Sequence, residues 1–213
     1  MFEEFAVIKK EMELVYLHDR RPWMIGYSGG KDSTLLCQLV FEMLEGLPEK
    51  KRWKPVYIVT SDTMVENPIV KAYMHKMSKA INDASAAKNL NVQAHIIYPE
   101  IRQTFWSLLI GLGYPTPEPP GFRWCTERLK INPSNAFTYN TIKKDGEIVI
   151  LLGVRKAESA ARSRSISSRE IEGKILTPHP QIAKAYVYSP LSEIQNENVW
   201  EYLLQGEGKS AWD

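Results

Sequence analysis

The chain has 213 residues and a formal net charge of +2, and its composition is 44% hydrophobic and 24% charged. These values exclude a disordered tail, a collagen-like repeat and a disulfide-dense mini-protein, and the net charge does not require nucleic acid as a partner. One domain with one large core is therefore expected over residues 1–213. The two cysteines and four scattered histidines cannot form a disulfide framework or a zinc site.

The sequence carries no recognisable targeting or membrane signal. Acidic residues interrupt the apolar pattern of residues 1–16, which is unlike a signal peptide. No apolar run approaches the roughly 18 residues that a membrane span needs. We expect a cytoplasmic protein without a membrane partner.

The first half of the chain alternates between helical and strand patterns. Gly46 and Pro48 end one predicted helix, and Asn67 with Pro68 forms a cap and first-turn pair for the next. The predicted elements are a helix over residues 2–17, a strand over 23–27, a helix over 32–46, a strand over 55–60 and a helix from 68 whose apolar face comprises Ile69, Val70, Tyr73, Met74, Met77 and Ile81.

The second half continues the pattern with two interruptions. Prolines make residues 111–121 irregular, because they lack a donor and bias their neighbours towards extended geometry, and residues 155–169 are basic and serine-rich. We predict active-site flaps over residues 111–130 and 155–174. The other predicted elements are a strand over 92–98, a short helix through 105–109, strands at 147–152 and 187–188, and a closing helix with Val199, Trp200, Leu203 and Leu204.

Apolar strands that alternate with helices predict an α/β fold. The expected architecture is a parallel twisted sheet with helices on both faces, a three-layer sandwich. Such sheets bind ligands at the carboxyl ends of their strands. The loops that follow the predicted strands are therefore the candidate functional segments.

The segment Ser28–Ser33, with the sequence SGGKDS, joins a predicted strand to a predicted helix. Glycines let backbone N–H groups approach an anion closely, and a helix start adds about half a positive charge. Lys31 adds a full cation, and the two serines add hydroxyl donors. The spacing fits neither a Walker A loop nor a dinucleotide-binding loop. Asp32 would repel phosphate unless it caps the helix or holds a divalent cation, so it is a candidate metal ligand.

Five segments, in chain order, carry a family resemblance. They are SGGKDS at 28–33, SDTMVE at 61–66, RWCTERLK at 123–130, GVRKAESAAR at 153–162, and PL at 190–191 followed by NVWEYL at 198–203. Together they resemble the N-type ATP pyrophosphatases, in the branch similar to phosphoadenosine-phosphosulfate (PAPS) reductase. Within that branch, the third and fourth segments look most like the ATP pyrophosphatase subunit of DNA phosphorothioation systems, the Dnd-type sulfurtransferase.

The resemblance implies that ATP is split between its α and β phosphates, with adenylation of an oxygen and release of pyrophosphate. It implies ATP and Mg²⁺ as cofactors, and as partners a cysteine desulfurase or sulfur carrier, other phosphorothioation proteins, and DNA bound through a complex. Asp62 and Thr63 would then lie beside the adenosine. The residues that would hold the β- and γ-phosphates are Ser28, Gly29, Gly30, Lys31, Asp32 and Ser33.

The fourth segment supplies further expected site residues. Gly153 would allow a close backbone approach, and Arg155 and Arg162 would neutralise charge that develops on the phosphates. The alternative for each arginine is a solvated surface charge. Glu158 is expected to orient an arginine. For Arg164 and Arg169, just beyond the motif, we expect a mobile solvated loop.

The two cysteines receive different interpretations. Cys125 lies between Arg123 and Arg128, whose positive charges favour a reactive sulfur atom that could carry sulfur or attack an adenylate. It could equally be a small buried side chain. Cys37 lies on the apolar face of a predicted helix, which predicts packing.

The chain departs from the Dnd-type pattern in one respect. Those proteins are expected to carry cysteines beyond the last motif that ligate an iron–sulfur cluster, and this sequence ends at Asp213 without them, so a cluster is not supported. Two alternatives therefore remain open. One is a PAPS reductase or a sulfate-adenylating enzyme. The other is a non-catalytic, nucleotide-dependent DNA-binding module that uses the basic residues after Gly153.

Overall fold

The computed structural model describes residues 3–118, 123–169, 171 and 173–204. Residues 119–121 of the proline-rich stretch lie outside this range, as do residues 170 and 172 of the basic segment. The strands are β1 (Trp23–Gly26), β2 (Val56–Ser61), β3 (Val92–Ile97), β4 (Ile148–Leu151), β5 (Thr177–Pro178) and β6 (Ala185–Tyr188). The helices are α1 (Glu3–His18), α2 (Lys31–Gly46), α3 (Pro68–Ala87), α4 (Trp124–Thr126), α5 (Asn132–Asp145), α6 (Ala160–Ser167) and α7 (Asn196–Leu204).

One six-stranded sheet organises the described residues, with the strand order β3-β2-β1-β4-β6-β5. All neighbouring pairs are parallel except β5 with β6, which is antiparallel. The predicted α/β fold is thereby confirmed, although the short strand β5 was not predicted. The strands from β1 to β4 and β6 end at a common edge, called here the carboxyl edge. No described helix is both long and apolar enough to cross a bilayer.

Helices cover both faces of the sheet, as predicted, and the strands alternate their side chains between two apolar clusters. Trp23 and Ile25 of β1 face the larger cluster, which buries residues of α1, α2, α3 and α7. Met24, between them, faces a smaller cluster against which α5 packs through Phe137 and Ile142. Cys37 is completely buried in the larger cluster, so the packing interpretation of this cysteine is confirmed. Burial raises the pKa of its thiol.

An asparagine side chain covers part of the free edge of the sheet. Strand β3 has a neighbour on one side only. Asn82, on α3, donates from Nδ2 to the carbonyl of Ala94 (3.1 Å) and accepts from the N–H of Ala94 at Oδ1 (2.8 Å). The amide therefore pairs with one residue of the edge strand as a neighbouring strand would.

At the end of the sheet opposite the carboxyl edge, where the parallel strands begin, a lysine is fully buried. This end is called here the amino edge. The Lys54 side chain is 0% exposed, and its Nζ pairs with Oδ1 of Asp19 at 3.0 Å. The ammonium also lies 5.0–5.8 Å from the ring centres of Tyr16, Trp23 and Trp53. Burial lowers the pKa of Lys54, against the opposing effect of its bond to Asp19. Aromatic faces and a carboxylate together compensate the desolvated cation.

Three predictions about local structure are corrected. The first turns of α3 extend past the carboxyl edge, so Ile69 (79% exposed), Val70 and Tyr73 do not belong to the core. Residues 160–167 form the helix α6 instead of a loop, so Arg164 is helical. Residues 124–131 of the predicted proline-rich flap are also helical, because Trp124 stacks on Phe105 and donates from Nε1 to the carbonyl of Pro115 (2.9 Å).

Candidate nucleotide site

The loop after β1 turns sharply and leads directly into α2. Gly29 has a φ of +72°, a conformation that favours glycine. A Cβ at Gly29 would also lie 3.3 Å from the ring of Tyr73. Gly30 is the N-cap residue of α2 and provides no side-chain cap. The first N–H groups of α2 are therefore available to an anion, and the helix dipole favours negative charge there.

Two serines fix the curvature of this loop. The Ser28 and Ser33 hydroxyls lie 3.2 Å apart, and the Ser33 hydroxyl donates to the carbonyl of Gly30 at 2.9 Å. The N–H of Gly30 donates to the Ser28 hydroxyl at 3.3 Å. The predicted anion-binding segment thus forms a compact, internally bonded turn at the carboxyl edge.

Asp32 is held by two cations rather than exposed as a free carboxylate. Its Oδ1 accepts from Nε of Arg155 at 2.6 Å, and its Oδ2 accepts from Nζ of Lys31 at 3.2 Å. Arg155 is 1% exposed, so the surface-charge alternative is wrong for this residue. Its other nitrogens donate to the carbonyl of Ile194 (3.2 Å) and to Oδ1 of Asn196 (3.3 Å). Arg155 therefore acts on the loop through Asp32.

The loop after β4 is also packed against the start of α2. A Cβ at Gly153 would lie 3.0 Å from the carbonyl oxygen of Asp32, a contact tight enough that one of the two backbones would have to shift. Gly153 therefore makes a close backbone approach, as predicted, but to α2. The loop after β4 therefore holds the glycine-rich turn through both Gly153 and Arg155.

The described residues do not form a protein-held magnesium site. Among them no group of three or more His, Cys, Asp or Glu residues is arranged to bind a metal. Both oxygens of Asp32 are already engaged by cations. Mg²⁺ is commonly bound through one or two carboxylates together with substrate phosphates. A magnesium ion here would therefore need phosphate oxygens of a bound ligand to complete its coordination.

A cleft of about 280 Å³, called here the nucleotide cleft, opens beside this loop at the ends of β1 and β2. Its size is close to the lower end of the range for small-molecule sites. Several of its residues were not named as site residues in the sequence analysis, although Ser61 and Lys130 lie in the second and third motif segments. The lining residues without a predicted role in the site are Thr60, Ser61, Val70, Met74, Lys130 and Ser134.

Asp62 and Thr63 lie beneath the cleft rather than in its lining. Asp62 is completely buried; its Oδ1 accepts from the N–H of Met64 (2.8 Å), and its Oδ2 lies 3.7 Å from Nζ of Lys71. Thr63 donates from its hydroxyl to Glu66 at 2.9 Å. Glu66 itself lines the cleft. Asp62, Thr63 and Glu66 shape the turn after β2, and of these three only Glu66 lines the nucleotide cleft.

The remaining predicted site residues, Arg162 and Cys125, are more exposed than Arg155. Arg162 has a side chain 56% exposed and pairs with Glu158 (3.2 Å), which confirms that Glu158 orients an arginine. Cys125 lies in α4 and is partly exposed, in contrast to Cys37. The structure therefore brings Arg155 to the loop, keeps Arg162 at the surface, and leaves Cys125 accessible.

A parallel sheet with a glycine-rich loop, a helix start and a nucleoside-sized cleft at its carboxyl edge defines a nucleotide-binding α/β protein. Residues 22–209 match the phosphoadenosine phosphosulfate reductase domain. The chain belongs to that family.

Comparisons with individual proteins agree on the fold. The chain is similar to a crystal structure of PAPS reductase from Candida auris in its phosphate complex (TM-score 0.53, 13% identity, 99% of this chain and 89% of that chain). It is also similar to the U34-tRNA thiolase NcsA from Methanococcus maripaludis with its 4Fe-4S cluster (TM-score 0.52, 16% identity, 97% and 64%). An uncharacterised protein of Methanocaldococcus jannaschii is 25% identical over 189 residues; the match covers 87% of this chain but only 32% of that relative's length.

Proposed function

We propose that this protein is an ATP pyrophosphatase that cleaves ATP between the α and β phosphates to activate an oxygen for sulfur insertion. An acceptor oxygen would attack the α-phosphorus, the bond to the bridging oxygen of the β-phosphate would break, and pyrophosphate would leave with both electrons of that bond. The observation that carries the proposal is the loop Ser28–Ser33, held at the carboxyl edge by Arg155 and Gly153 beside a cleft of nucleoside size.

In this proposal the residues of the loop act on the outer phosphates. The first N–H groups of α2, the two serine hydroxyls and Lys31 would bind the pyrophosphate portion and stabilise its charge as it leaves. Lys130, on the opposite wall of the nucleotide cleft, would lie near the α-phosphate or the acceptor. Arg155 is a positioning residue here, since its guanidinium contacts Asp32 and not the cleft.

We further propose that the activated oxygen belongs to a DNA backbone phosphate, as the resemblance to Dnd-type subunits suggests. The outer sulfur of a persulfide, supplied by a cysteine desulfurase or a sulfur carrier, would attack the adenylated phosphorus and displace AMP, and an external thiol would then reduce the remaining S–S bond to release the phosphorothioate. Partly exposed Cys125, between Arg123 and Arg128 in sequence, is the one thiol of the chain outside the core that could relay the sulfur.

The test is to incubate the protein with MgATP labelled at the α-phosphate and identify the product. AMP with pyrophosphate supports the proposal, and Lys31→Ala should abolish their formation. Lys79→Ala, which removes a 77% exposed lysine on α3, is the matched control and should retain wild-type release. ADP as the product, or undiminished release in Lys31→Ala, would overturn the proposal. ATP binding without AMP, even with DNA and partner proteins present, would favour the non-catalytic module.

A PAPS reductase is the second candidate, and two observations favour it. The chain belongs to the family named for that domain, and Cys125 is partly exposed. A reductase would form sulfite from PAPS, and Cys125→Ser would abolish sulfite formation. Sulfate-dependent pyrophosphate exchange would instead identify a sulfate-adenylating enzyme. Neither reaction should occur if the first proposal is correct.

A further inference from the structure

A second cleft, of about 320 Å³, opens at the end of β3, next to the nucleotide cleft. It lies between the residues that follow β3 and one face of the helical segment over residues 127–145. Of the residues that line it, only Arg128 belongs to one of the five motif segments, the third. The lining residues used below are Tyr98, Gln103, Arg128, Asn132, Phe137 and Asn140.

One continuous helical segment separates the two clefts. Arg128, Asn132 and Asn140 line the second cleft, and Lys130 and Ser134 line the nucleotide cleft. Residues four apart lie on the same side of a helix, so the two sets alternate between opposite sides of this segment. The clefts also open from the ends of β3 and of β2, which are neighbouring strands. Neighbouring strands lie about 4.8 Å apart, so one extended ligand can reach both openings.

Arg128 gives the second cleft an available positive charge. Its side chain is half-buried, and it forms no ion pair or hydrogen bond with any described residue. Glu100, at the exposed rim, is the acidic residue of the lining. An arginine that is partly removed from water and lacks a protein partner is suited to bind a phosphate in a bidentate arrangement.

The rest of the lining supplies amides and aromatic surface. Asn132 donates from Nδ2 to Oε1 of Gln103 at 3.2 Å, which leaves the Asn132 carbonyl and the Gln103 amino group free to face a ligand. Asn140 is exposed at the same cleft and adds a complete amide. Tyr98, 47% exposed, and Phe137 provide ring surface. Amide pairs read base edges, and aromatic rings stack on unpaired bases.

We propose that the second cleft binds one unpaired nucleotide of a nucleic-acid acceptor strand, with its phosphate on Arg128 and its base against Tyr98 and the amides. This inference rests on the proposed function and extends it, because it states that the acceptor is presented as a single strand. An adjacent phosphate of the same strand would then reach the nucleotide cleft across the dividing helical segment.

The test measures binding of a fluorescein-labelled, ten-residue single-stranded oligodeoxythymidylate to the full chain by anisotropy, over a series of salt concentrations. Arg128→Gln should weaken binding about tenfold and reduce the slope of log affinity against log salt by about 0.7, the loss of one phosphate contact. Asn140→Asp, which adds negative charge to the same cleft, should also weaken binding. Arg20→Gln removes the same charge at the amino edge and should leave affinity and slope unchanged.

Equal affinity of wild type and Arg128→Gln would overturn the inference, as would an equal loss in Arg20→Gln, which would indicate attraction by net charge alone. A double-stranded oligonucleotide that binds as tightly as the single strand, with the same dependence on Arg128, would also overturn it. The binding assay contains no ATP. Failure to release pyrophosphate from ATP would therefore refute the proposed function while the binding measurements still decide on the cleft.

Discussion

The two edges of the sheet each contain a buried cation paired with a carboxylate that is about one-fifth exposed. At the carboxyl edge the pair is Arg155 with Asp32 (19% exposed), and at the amino edge it is Lys54 with Asp19 (21% exposed). Their surroundings differ. Arg155 donates to a carbonyl and a side chain from the loops after β6, whereas Lys54 lies among aromatic rings. The Arg155–Asp32 pair holds loops in place relative to each other, whereas the Lys54–Asp19 pair belongs to the packed interior.

The comparison suggests that the same type of ion pair has different consequences at the two edges. At the carboxyl edge, loss of the pair should disturb the geometry of the loop Ser28–Ser33. At the amino edge, loss of the pair should lower stability without affecting the distant loop. The following predictions separate these consequences.

Arg155→Met should have the largest effect. It leaves Asp32 without its shorter ion pair, and breaking a buried pair from one side costs about 3–5 kcal/mol. Because Asp32 follows Lys31 at the helix start, we also expect pyrophosphate release to fall at least about a hundredfold, from a loss near 3 kcal/mol in the transition state. Urea unfolding and steady-state release measure the two effects. Wild-type release from the folded variant would contradict the positioning role.

Lys54→Met should reduce stability by about 2–4 kcal/mol and leave pyrophosphate release from the folded protein unchanged. The methionine fills much of the same space but loses the contact with Asp19 and the interaction with the rings. Urea unfolding measures the loss. A reduced rate per folded molecule would show that the amino edge is coupled to the site.

Gly153→Ala should reduce pyrophosphate release about tenfold with a modest loss of stability of about 1–2 kcal/mol, because its Cβ would lie 3.0 Å from a backbone oxygen of α2. Gly46→Ala is the control, since a Cβ there meets no atom within 4 Å. That control should be neutral or slightly stabilising, because alanine favours the helix. Equal effects in the two variants would remove the argument for a required close approach.

Asp19→Asn should produce the smallest effect, a loss of stability at neutral pH that disappears in acid. Burial alone would raise the pKa of Asp19, but hydrogen bonds from Arg21 and Lys54 lower it below its ordinary value. A carboxyl whose pKa is lower in the folded state contributes its full stabilisation of the folded protein above its unfolded-state pKa, near 4. This contribution is lost as the pH falls below that value. Solvent screening limits the contribution to about 1 kcal/mol. Melting temperatures between pH 5 and pH 2 should therefore fall more steeply for wild type than for Asp19→Asn.

The order of strands and helices could be predicted from the sequence because the strands are continuously apolar and the loop SGGKDS interrupts the pattern sharply. The position of Cys37 on the apolar face of α2 was correctly predicted, whereas the face assigned to α3 was wrong at Ile69, Val70 and Tyr73. Periodicity identifies a helical face but not how far the helix extends beyond the sheet. The same limit concealed the part of α3 that borders the nucleotide cleft.

The candidate site could be predicted only at the level of segments. Ser28–Ser33 was recognisable because glycine, lysine and serine have distinct local roles. The partner of Asp32 could not be identified, since Arg155 is 123 positions away and its burial depends on contacts with Ile194 and Asn196. Arg128 and Lys130 line different clefts because they lie on different sides of the same helical segment. Their spacing in the sequence indicates this only once the segment is known to be helical.

The amide of Asn82 on the edge strand has a consequence for self-association. An uncovered edge strand can recruit a strand from a second molecule, and this is a common route to ordered aggregates. Asn82 occupies both backbone groups of Ala94 that such a strand would need. Asn82 therefore prevents a second molecule from pairing with the edge strand at Ala94, and the Ser85 hydroxyl, bonded to both backbone groups of Val92, does the same two residues earlier.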